Sequence, residues 1–167
     1  MRMAEIRFEE LHEEHLPAVL DLYNYYVQKT ICTFHTEPLT QSKFRELVFF
    51  DSPRYRTFVA LDGNELCGYV LLTQHKKREA YNETAEVTLY LKPEHIGKGI
   101  GSQALEYIEA FARNAGLRVL VATICGENDR SIRVFERNGF QKCAHYREIG
   151  RKFGQLLDVV AYQKILR

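Results

Sequence analysis

This 167-residue sequence lacks several features that identify other classes of protein. No stretch approaches the roughly 20 consecutive apolar residues that a membrane-spanning helix requires, so we expect a soluble protein without a membrane partner. The 23 Lys and Arg residues almost balance the 22 Asp and Glu residues, and the net charge is +1. This balance argues against a nucleic-acid partner. Because there is also no internal repeat or low-complexity linker, the length indicates one domain over residues 1–167.

Cysteines are few and widely spaced, and no CxxC pair occurs. They are Cys32, Cys67, Cys125 and Cys143. No charged-then-apolar signal segment opens the chain, so we expect a reducing, cytoplasmic setting. All four cysteines lie in largely apolar stretches of sequence, which favours buried thiols over reactive ones.

The six histidines show no spacing typical of metal ligands. His12 and His15 share one face of a predicted helix, but their position near the surface of its start indicates solvated side chains. We therefore expect no bound metal.

The periodicity of the apolar residues predicts seven strands and about four helices. The strands are predicted in AEIRFEEL (4–11), YRTFVALDG, ELCGYVLLTQH, TAEVTLYL, RVLVATIC, FQKCAHYREIG and QLLDVVAYQKIL. The helices are predicted from Leu16 to Val27, after an N-cap at Thr40, from Ala104 to Ala115 and from Asn128 to Asn138. The turn DGN between the second and third strands indicates an antiparallel hairpin.

A glycine-rich loop, GKGIGS, lies between strand TAEVTLYL and the following helix. Glycines allow several backbone N–H groups to turn inward, and the helix dipole adds partial positive charge, so the loop is typical of an anion site. The loop also fits a relaxed form of the G-x-G-x-x-A motif that binds dinucleotides, in which Glu127 would bind the ribose. A third interpretation is a tight turn that binds no ligand. In a dinucleotide-binding fold the glycines directly follow the strand, and further strand–helix crossovers come after them. Here residues 92–96 separate the strand from the glycines, and the chain ends in a predicted hairpin, so this fold is disfavoured. No Gly-Lys-Ser/Thr closes a P-loop.

Several segments of the chain resemble one known family. VTLYLKPEH, the glycine loop and NDRSIRVFERNGF are similar to the GCN5-related N-acetyltransferase (GNAT) superfamily, and LPAVLDLYNYYV, FHTEPLT, KREAYN and GRKFGQLLDVVAYQK resemble its phosphinothricin and methionine sulfone or sulfoximine branch. The resemblance covers nearly the whole chain. It implies an α/β fold of the α+β kind, with a single mixed, largely antiparallel sheet flanked by about four helices. It also implies acetyl-CoA as co-substrate, a small-molecule amine as acceptor and a homodimer.

The resemblance also implies which residues bind the coenzyme. The backbone of one strand end would pair with the pantetheine arm, the loop would wrap the pyrophosphate, and an asparagine would bond the pantetheine or the acetyl end. These residues are Leu89, Tyr90, Leu91, Gly97, Lys98, Gly99, Ile100, Gly101, Ser102 and Asn128. A strand end offers free N–H and C=O groups and the loop offers donors, so elementary chemistry agrees with the first two assignments.

Acetyl transfer requires a deprotonated amine, a polarised thioester carbonyl and a thiolate that can leave. An alkyl amine with a pKa of about 10.4 is mostly protonated at neutral pH, so a base is useful. Glu86, on the polar face of its strand, is the candidate catalytic base and matches a glutamate of the branch. Phe135 stands where many superfamily members carry a tyrosine acid, so the thiolate leaves unassisted, or Tyr162 or water supplies the proton.

A second departure from the superfamily is Ile96, which stands where Arg or Gln commonly precedes the glycines. This departure removes a basic or polar side chain but leaves the backbone N–H groups of the glycine loop intact.

Arg130, Arg133 and Arg137 fall near one face of a predicted helix. For these arginines a solvated face is the expected role and phosphate capture the alternative.

The candidate substrate residues offer cations for an acidic group and aromatics for a stem. They are Phe34, Lys77, Arg78, Tyr81 and Lys152. Leu156 and Leu157 replace an aromatic residue and a histidine of the herbicide-acetylating members, which argues against phosphinothricin itself. Three functions are therefore open: a small-molecule N-acetyltransferase, the same fold acting on protein or peptide amines, and a non-catalytic acyl-CoA sensor. We favour the first.

Overall fold

The computed structural model of the chain describes residues 5–167 and contains one seven-stranded sheet, in the order β1-β2-β3-β4-β5-β7-β6. The strands are β1 (Arg7–Glu10), β2 (Arg56–Asp62), β3 (Glu65–Gln74), β4 (Thr84–Leu91), β5 (Val119–Cys125), β6 (Gln141–Lys152) and β7 (Gln155–Ile165). Strands β4 and β5 are parallel, and the other neighbours are antiparallel. The predicted mixed, largely antiparallel sheet is confirmed. The first strand was predicted from Ala4, which lies outside the described residues.

Four α-helices pack on the sheet. They are α1 (Leu16–Lys29), α2 (Gln41–Val48), α3 (Ile100–Asn114) and α4 (Asp129–Arg137), with short 3-10 turns at Glu13–His15, Glu79–Tyr81 and Pro93–His95. Pro17 lies in the first turn of α1, where its missing N–H costs nothing, and the hydroxyl of Thr40 accepts a bond from Lys43 N as the N-cap of α2. Along residues 5–167, each helix is too short or too polar to cross a membrane.

Alternation along the strands explains how the helices cover both faces. In β4, Ala85 and Val87 join the apolar cluster beneath α3 and α4. Tyr90 faces the other way and packs with the cluster beneath α1 and α2. Because the side-chain period of a strand is two, Glu86 lies on the same face as Tyr90, the face of α1.

The cysteines are only partly as predicted. Cys67 and Cys125 are buried, Cys32 is half-buried, and all four are free thiols. Cys143 is exposed, so the prediction that every cysteine is buried was wrong. The reason is that β6 is an edge strand, where a residue in an apolar stretch of sequence can still face solvent.

Candidate active site

The candidate site is a cleft of about 830 Å³ between strands β4 and β5. The two strands pair only from Thr84 with Val119 to Glu86 with Val121. β4 then continues to Leu91 and β5 to Cys125 without pairing with each other. The strands therefore separate, and the backbone of residues 87–91 presents a free edge to the cleft.

The glycine loop closes one end of this cleft. Gly97 and Gly99 have φ values of 82° and 81°, and Gly99 is the N-cap of α3. A left-handed backbone of this kind suits glycine because a side chain is strained there. The first N–H groups of α3 have no partner within the helix and carry its positive dipole. Loop and helix start therefore form a site suited to an anion.

Gly101 allows helices α3 and α4 to pack closely against each other. A Cβ atom at this position would lie 3.3 Å from Val134 Cγ1 of α4. One residue further on, Ser102 Oγ accepts a 3.1 Å hydrogen bond from Asn138 Nδ2. Helix α4 is thus held directly beside the glycine loop.

The structure brings most of the predicted coenzyme residues to the cleft. Its lining includes Leu89, Tyr90, Leu91, Gly97, Gly99, Gly101, Ser102 and Asn128. Asn128 Oδ1 caps α4 by accepting from Ser131 N at 3.2 Å, which leaves its amide N–H groups available to donate. Lys98 is exposed and does not line the cleft. The Ile100 side chain is buried against Ala60 and Cys67, so only its backbone can serve a ligand.

Glu86 lies where β4 and β5 separate, and neighbours on both adjacent strands approach it. Thr123 on β5 donates a 3.2 Å hydrogen bond to Glu86 Oε1. His75, directly after β3, places Nδ1 3.6 Å from the same oxygen. The His75 Nδ1 atom is buried and makes no hydrogen bond within residues 5–167. The glutamate is about one-third exposed, so it is held in place while remaining accessible.

Sequence reasoning missed Thr123 and His75. The register pairs Glu86 with Thr73 on β3 and with Val121 on β5. His75 and Thr123 each lie two residues further along, so the strand period puts them on the face of Glu86. The only available signal was this strand pairing, which the separate segments do not reveal.

The structure does not support Tyr162 as a substitute acid. Its side chain is buried in the core beneath α3 and α4 and does not line the cleft, and burial raises its pKa. Phe135 lines the cleft and packs edge-on against Phe140. Tyr26 also lines the cleft, but it donates its proton to the Leu91 carbonyl, and burial raises the pKa of Tyr26 to about 12.

The predicted substrate residues fall into two groups. Lys77 and Arg78 are exposed in the loop after β3, and the Tyr81 ring lies 5.8 Å from the His75 ring, close to Glu86. Phe34 and Lys152 both lie where the loop after α1 contacts the β6–β7 hairpin. A Cβ atom on Gly150 would lie 2.5 Å from the ring of Phe34, so the aromatic ring requires glycine there.

Lys152, predicted as a cation for an acidic group of the substrate, is engaged within the protein instead. Its side chain is only 3% exposed, and Nζ donates a 2.6 Å hydrogen bond to the Thr33 carbonyl. Burial lowers the pKa of Lys152. Its immediate effect is to hold the loop after α1 against the hairpin.

Helix α4 adds three cations to the cleft. Arg130, Arg133 and Arg137 are exposed, as the sequence led us to expect, but all three also line the cleft. Their description as an ordinary solvated face was therefore incomplete. The orientation depends on how α4 docks against α3, which helical spacing alone does not determine.

One group of possible metal ligands occurs within residues 5–167. Glu65, Glu94 and His95 lie close together, with His95 Nε2 3.0 Å from Glu65 Oε1. The histidine and Glu65 already form an ion pair or hydrogen bond, and none of the three lines the cleft. The absence of a metal stays a prediction.

The fold and cleft agree with the comparisons to known proteins. The model of the acetyltransferase (GNAT) family matches residues 19–140. The chain belongs to this family, and it is an acetyltransferase.

Two relatives show which branch of the family this chain is similar to. Phosphinothricin N-acetyltransferase from Streptomyces coelicolor is 38% identical over 170 residues, which cover 98% of this chain and 98% of the relative. L-methionine sulfoximine/L-methionine sulfone acetyltransferase from Pseudomonas aeruginosa is 32% identical over 151 residues, covering 89% of this chain and 87% of the relative. The family resemblance read from the sequence is confirmed.

One solved structure contains the coenzyme. The phosphinothricin acetyltransferase of Sinorhizobium meliloti in complex with acetyl-CoA has a TM-score of 0.91 and 26% identity, covering 96% of this chain and 88% of that one. A protein of the same fold therefore binds acetyl-CoA.

Proposed function

We propose that the protein transfers the acetyl group of acetyl-CoA to the primary amine of a small amino-acid-like substrate of the phosphinothricin or methionine sulfone and sulfoximine type. The observation that carries this proposal is the arrangement of the cleft. A free strand edge and a glycine cradle line the cleft. The one-third-exposed carboxylate of Glu86 is not itself part of that lining, but it lies next to it, at the point where β4 and β5 separate. The names of the two relatives and the acetyl-CoA complex support the same activity.

The residues of the cleft fit acetyl-CoA. The free edge at Leu89 to Leu91 would pair with the amide groups of the pantetheine arm. Gly97 to Ser102, at the start of α3, would hold the pyrophosphate with backbone N–H groups. Asn128 would donate from its amide nitrogen. In this arrangement Ile96 contributes only apolar lining, and Lys98 contributes no contact.

The acetyl transfer then proceeds by direct attack within a ternary complex. Glu86 accepts a proton from the ammonium of the acceptor, directly or through one water. A backbone N–H near Leu89 to Leu91 polarises the thioester carbonyl. The thiol of coenzyme A has a pKa of about 8.5, so its thiolate can leave with water as the proton donor. The phenylalanine at position 135, which cannot donate a proton, therefore does not prevent the reaction.

The acceptor would lie on the α1 face of the sheet, near Glu86. Lys77, Arg78 and Tyr81 are close enough in the chain to Glu86 and His75 to bind the acidic part or stem of a small substrate. Phe34 and Lys152 form a separate contact between loop and hairpin. We propose that this second pair shapes the entrance to the acceptor site.

The activity is tested by following thiol release from acetyl-CoA with a panel of amines. The panel contains methionine sulfone, methionine sulfoximine, phosphinothricin, polyamines and N-terminal peptides. We expect turnover with at least one amino-acid analogue. Turnover confined to peptides would assign a protein or peptide acetyltransferase. Tight coenzyme binding without turnover of any amine would assign an acyl-CoA sensor.

The role of Glu86 is tested by the isosteric variant Glu86→Gln. Below the pKa of the amine, the neutral amine fraction falls about tenfold per pH unit, so removing the base should reduce turnover most at low pH. Coenzyme affinity should stay at the wild-type value. If the pH profile of turnover is unchanged, Glu86 has no part in the proton transfer.

We also propose that the chain forms one domain and assembles as a homodimer in the cytoplasm. All seven described strands share one sheet, and the four cysteines are free thiols. The β6–β7 hairpin exposes Tyr146, Ile149, Phe153 and Leu156, each about half exposed or more. An apolar surface of this kind suits a second copy of the chain. Light scattering should give a dimer for the wild type and for Ile165→Lys, and a monomer for Ile149→Lys/Phe153→Lys.

A further inference from the structure

The coenzyme phosphates of the proposed function present a charge that the glycine loop does not neutralise. A phosphate monoester carries about −1.5 to −2 charges at pH 7, and coenzyme A has a pyrophosphate as well. The start of α3 offers N–H donors and a dipole worth only about half a positive charge. Ile96 is apolar, and Lys98 is exposed and is not part of the cleft lining. Neutralising the phosphates therefore requires cations from elsewhere.

Helix α4 is the only source of such cations in the described lining of the cleft. Arg130, Arg133 and Arg137 line it, and no lysine does. Within residues 5–167 none of the three forms a salt bridge within 4.0 Å, nor does any donate a side-chain hydrogen bond. Their guanidinium groups are thus free to bind a ligand.

The docking of α4 on α3 directs this row toward the glycine loop. Arg130, Val134 and Arg137 are spaced i, i+4 and i+7, so they lie on one face of the helix. Val134 is the residue that Gly101 approaches, and Asn138, next to Arg137, bonds Ser102. The seven-residue spacing from Arg130 to Arg137 corresponds to a rise of about 10 Å along the helix. The three arginines therefore line the cleft on the side formed by α4, next to the glycine loop.

Two acids also line the cleft and must be counted. Glu127 and Asp129 flank Asn128 at the start of α4. Arg133 and Arg137 lie one and two turns further along, beside the loop. Positive charge is thus concentrated at the phosphate end of the cleft, while negative charge is confined to the end near Asn128.

We infer that Arg133 and Arg137, with Arg130 at the start of the row, bind the phosphates of acetyl-CoA. They supply the charge that a basic side chain at position 96 would otherwise provide. A guanidinium donates paired N–H groups to phosphate oxygens, which suits this role better than a lysine point charge. The inference rests on the proposed function, because it requires that acetyl-CoA occupies the cleft.

The test measures binding by calorimetry and requires no turnover. The ligands are acetyl-CoA, its 3′-dephospho form and S-acetylpantetheine, which has no phosphate. The variant Arg133→Gln/Arg137→Gln should bind acetyl-CoA about tenfold more weakly than the wild type at low salt. Added salt should weaken wild-type binding more than variant binding, because it screens the charges. Both proteins should bind S-acetylpantetheine equally.

Two further variants serve as controls. Arg118→Gln removes an exposed arginine at the start of β5, where β4 and β5 are still paired, and should bind acetyl-CoA like the wild type. Arg133→Lys/Arg137→Lys retains the charge and should retain most of the salt dependence. If the glutamine double variant loses affinity for acetyl-CoA but not for the 3′-dephospho form, the arginines bind the 3′-phosphate. If it loses affinity equally for both, they bind the pyrophosphate. Either result supports the inference.

The inference fails if the glutamine double variant binds acetyl-CoA with wild-type affinity. It also fails if the variant loses affinity for S-acetylpantetheine equally, because the arginines would then act through the fold. In both cases the wild type still binds acetyl-CoA. Absence of acetyl-CoA binding by the wild type would instead overturn the proposed function.

Discussion

At the scale of single residues, the chemistry depends on how one carboxylate is held. Thr123 donates to Glu86 Oε1, and His75 approaches the same oxygen. In the described part of the chain, Oε2 has no hydrogen-bond donor. A hydrogen bond from β5 therefore holds Oε1 of Glu86 and leaves Oε2 free to accept a proton.

Thr123→Val should lower turnover without weakening coenzyme binding. Valine has nearly the shape of threonine but cannot donate to Glu86. A hydrogen bond to a charged group contributes about 1.5–3 kcal/mol when shielded, and the exposure of Thr123 reduces this, so we expect a three- to tenfold fall in kcat. Steady-state kinetics together with acetyl-CoA titration measure both quantities.

The matched control is Thr123→Ser, which keeps the hydroxyl and should recover most of the turnover. A valine variant with wild-type kcat would show that the Thr123 bond does not position Glu86.

At the scale of elements, the parts predicted from sequence were those set by local chemistry. Alternating residues predicted β4, and the residues that cap helices located Thr40 and Asn128. β4 and β5 pair over only three residues before they separate, and this tertiary feature is indicated by no single segment. For the same reason the burial of Lys152 and the direction of the α4 arginines could not be predicted.

The role of the glycine loop in coenzyme binding can be tested at Gly97, with Gly63 as a matched control. Gly97 and Gly63 have φ values of 82° and 61°, and a Cβ atom on either would meet nothing within 4 Å. Alanine at either position should therefore cost about 1–2 kcal/mol of unfolding free energy through backbone strain alone. Gly97 lines the cleft, whereas Gly63 lies in the β2–β3 turn.

We expect Gly97→Ala to weaken acetyl-CoA binding, because a shift of the strained loop misdirects its N–H donors. Gly63→Ala should leave the dissociation constant unchanged. Urea unfolding and calorimetry on both variants separate the two effects. Equal affinities for acetyl-CoA would mean that the loop conformation at Gly97 does not serve the ligand.

At the scale of the whole molecule, the two faces of the sheet bury different kinds of side chain. The cluster beneath α3 and α4 is mainly aliphatic and phenylalanine. The cluster beneath α1 and α2 contains the tyrosines Tyr23, Tyr26 and Tyr69, with Tyr90 packed against it. The Tyr69 and Tyr90 ring centroids are 5.6 Å apart, and those of Tyr26 and Tyr90 are 5.1 Å apart. Compared with the other face, whose cluster contains Tyr55 and Tyr162, the face of α1 and α2 therefore buries more tyrosines.

These tyrosines should make the folded state sensitive to alkali. Burial raises the pKa of all four, that of Tyr26 to about 12, whereas an unfolded tyrosine titrates near 10. Above about pH 10 the unfolded state binds fewer protons than the folded state, so the free energy of unfolding falls as pH rises. Burial lowers the pKa of Lys152, which acts in the opposite direction below its unfolded value near 10.5, but it is one group against four.

Urea unfolding at pH 8 and at several values from 9.5 to 11 measures this dependence. Burial also raises the pKa of the Cys67 and Cys125 thiols, so we expect the unfolding free energy to begin to fall above about pH 8.5 and to fall more steeply above about pH 10. Tyr69→Phe removes one fully buried hydroxyl, so its stability should fall less steeply than that of the wild type. Tyr25→Phe alters a tyrosine that is 40% exposed and lies outside the proposed dimer surface, so it should keep the wild-type slope. If Tyr69→Phe and the wild type have the same slope above pH 10, burial of the tyrosine cluster is not the source of the alkaline sensitivity.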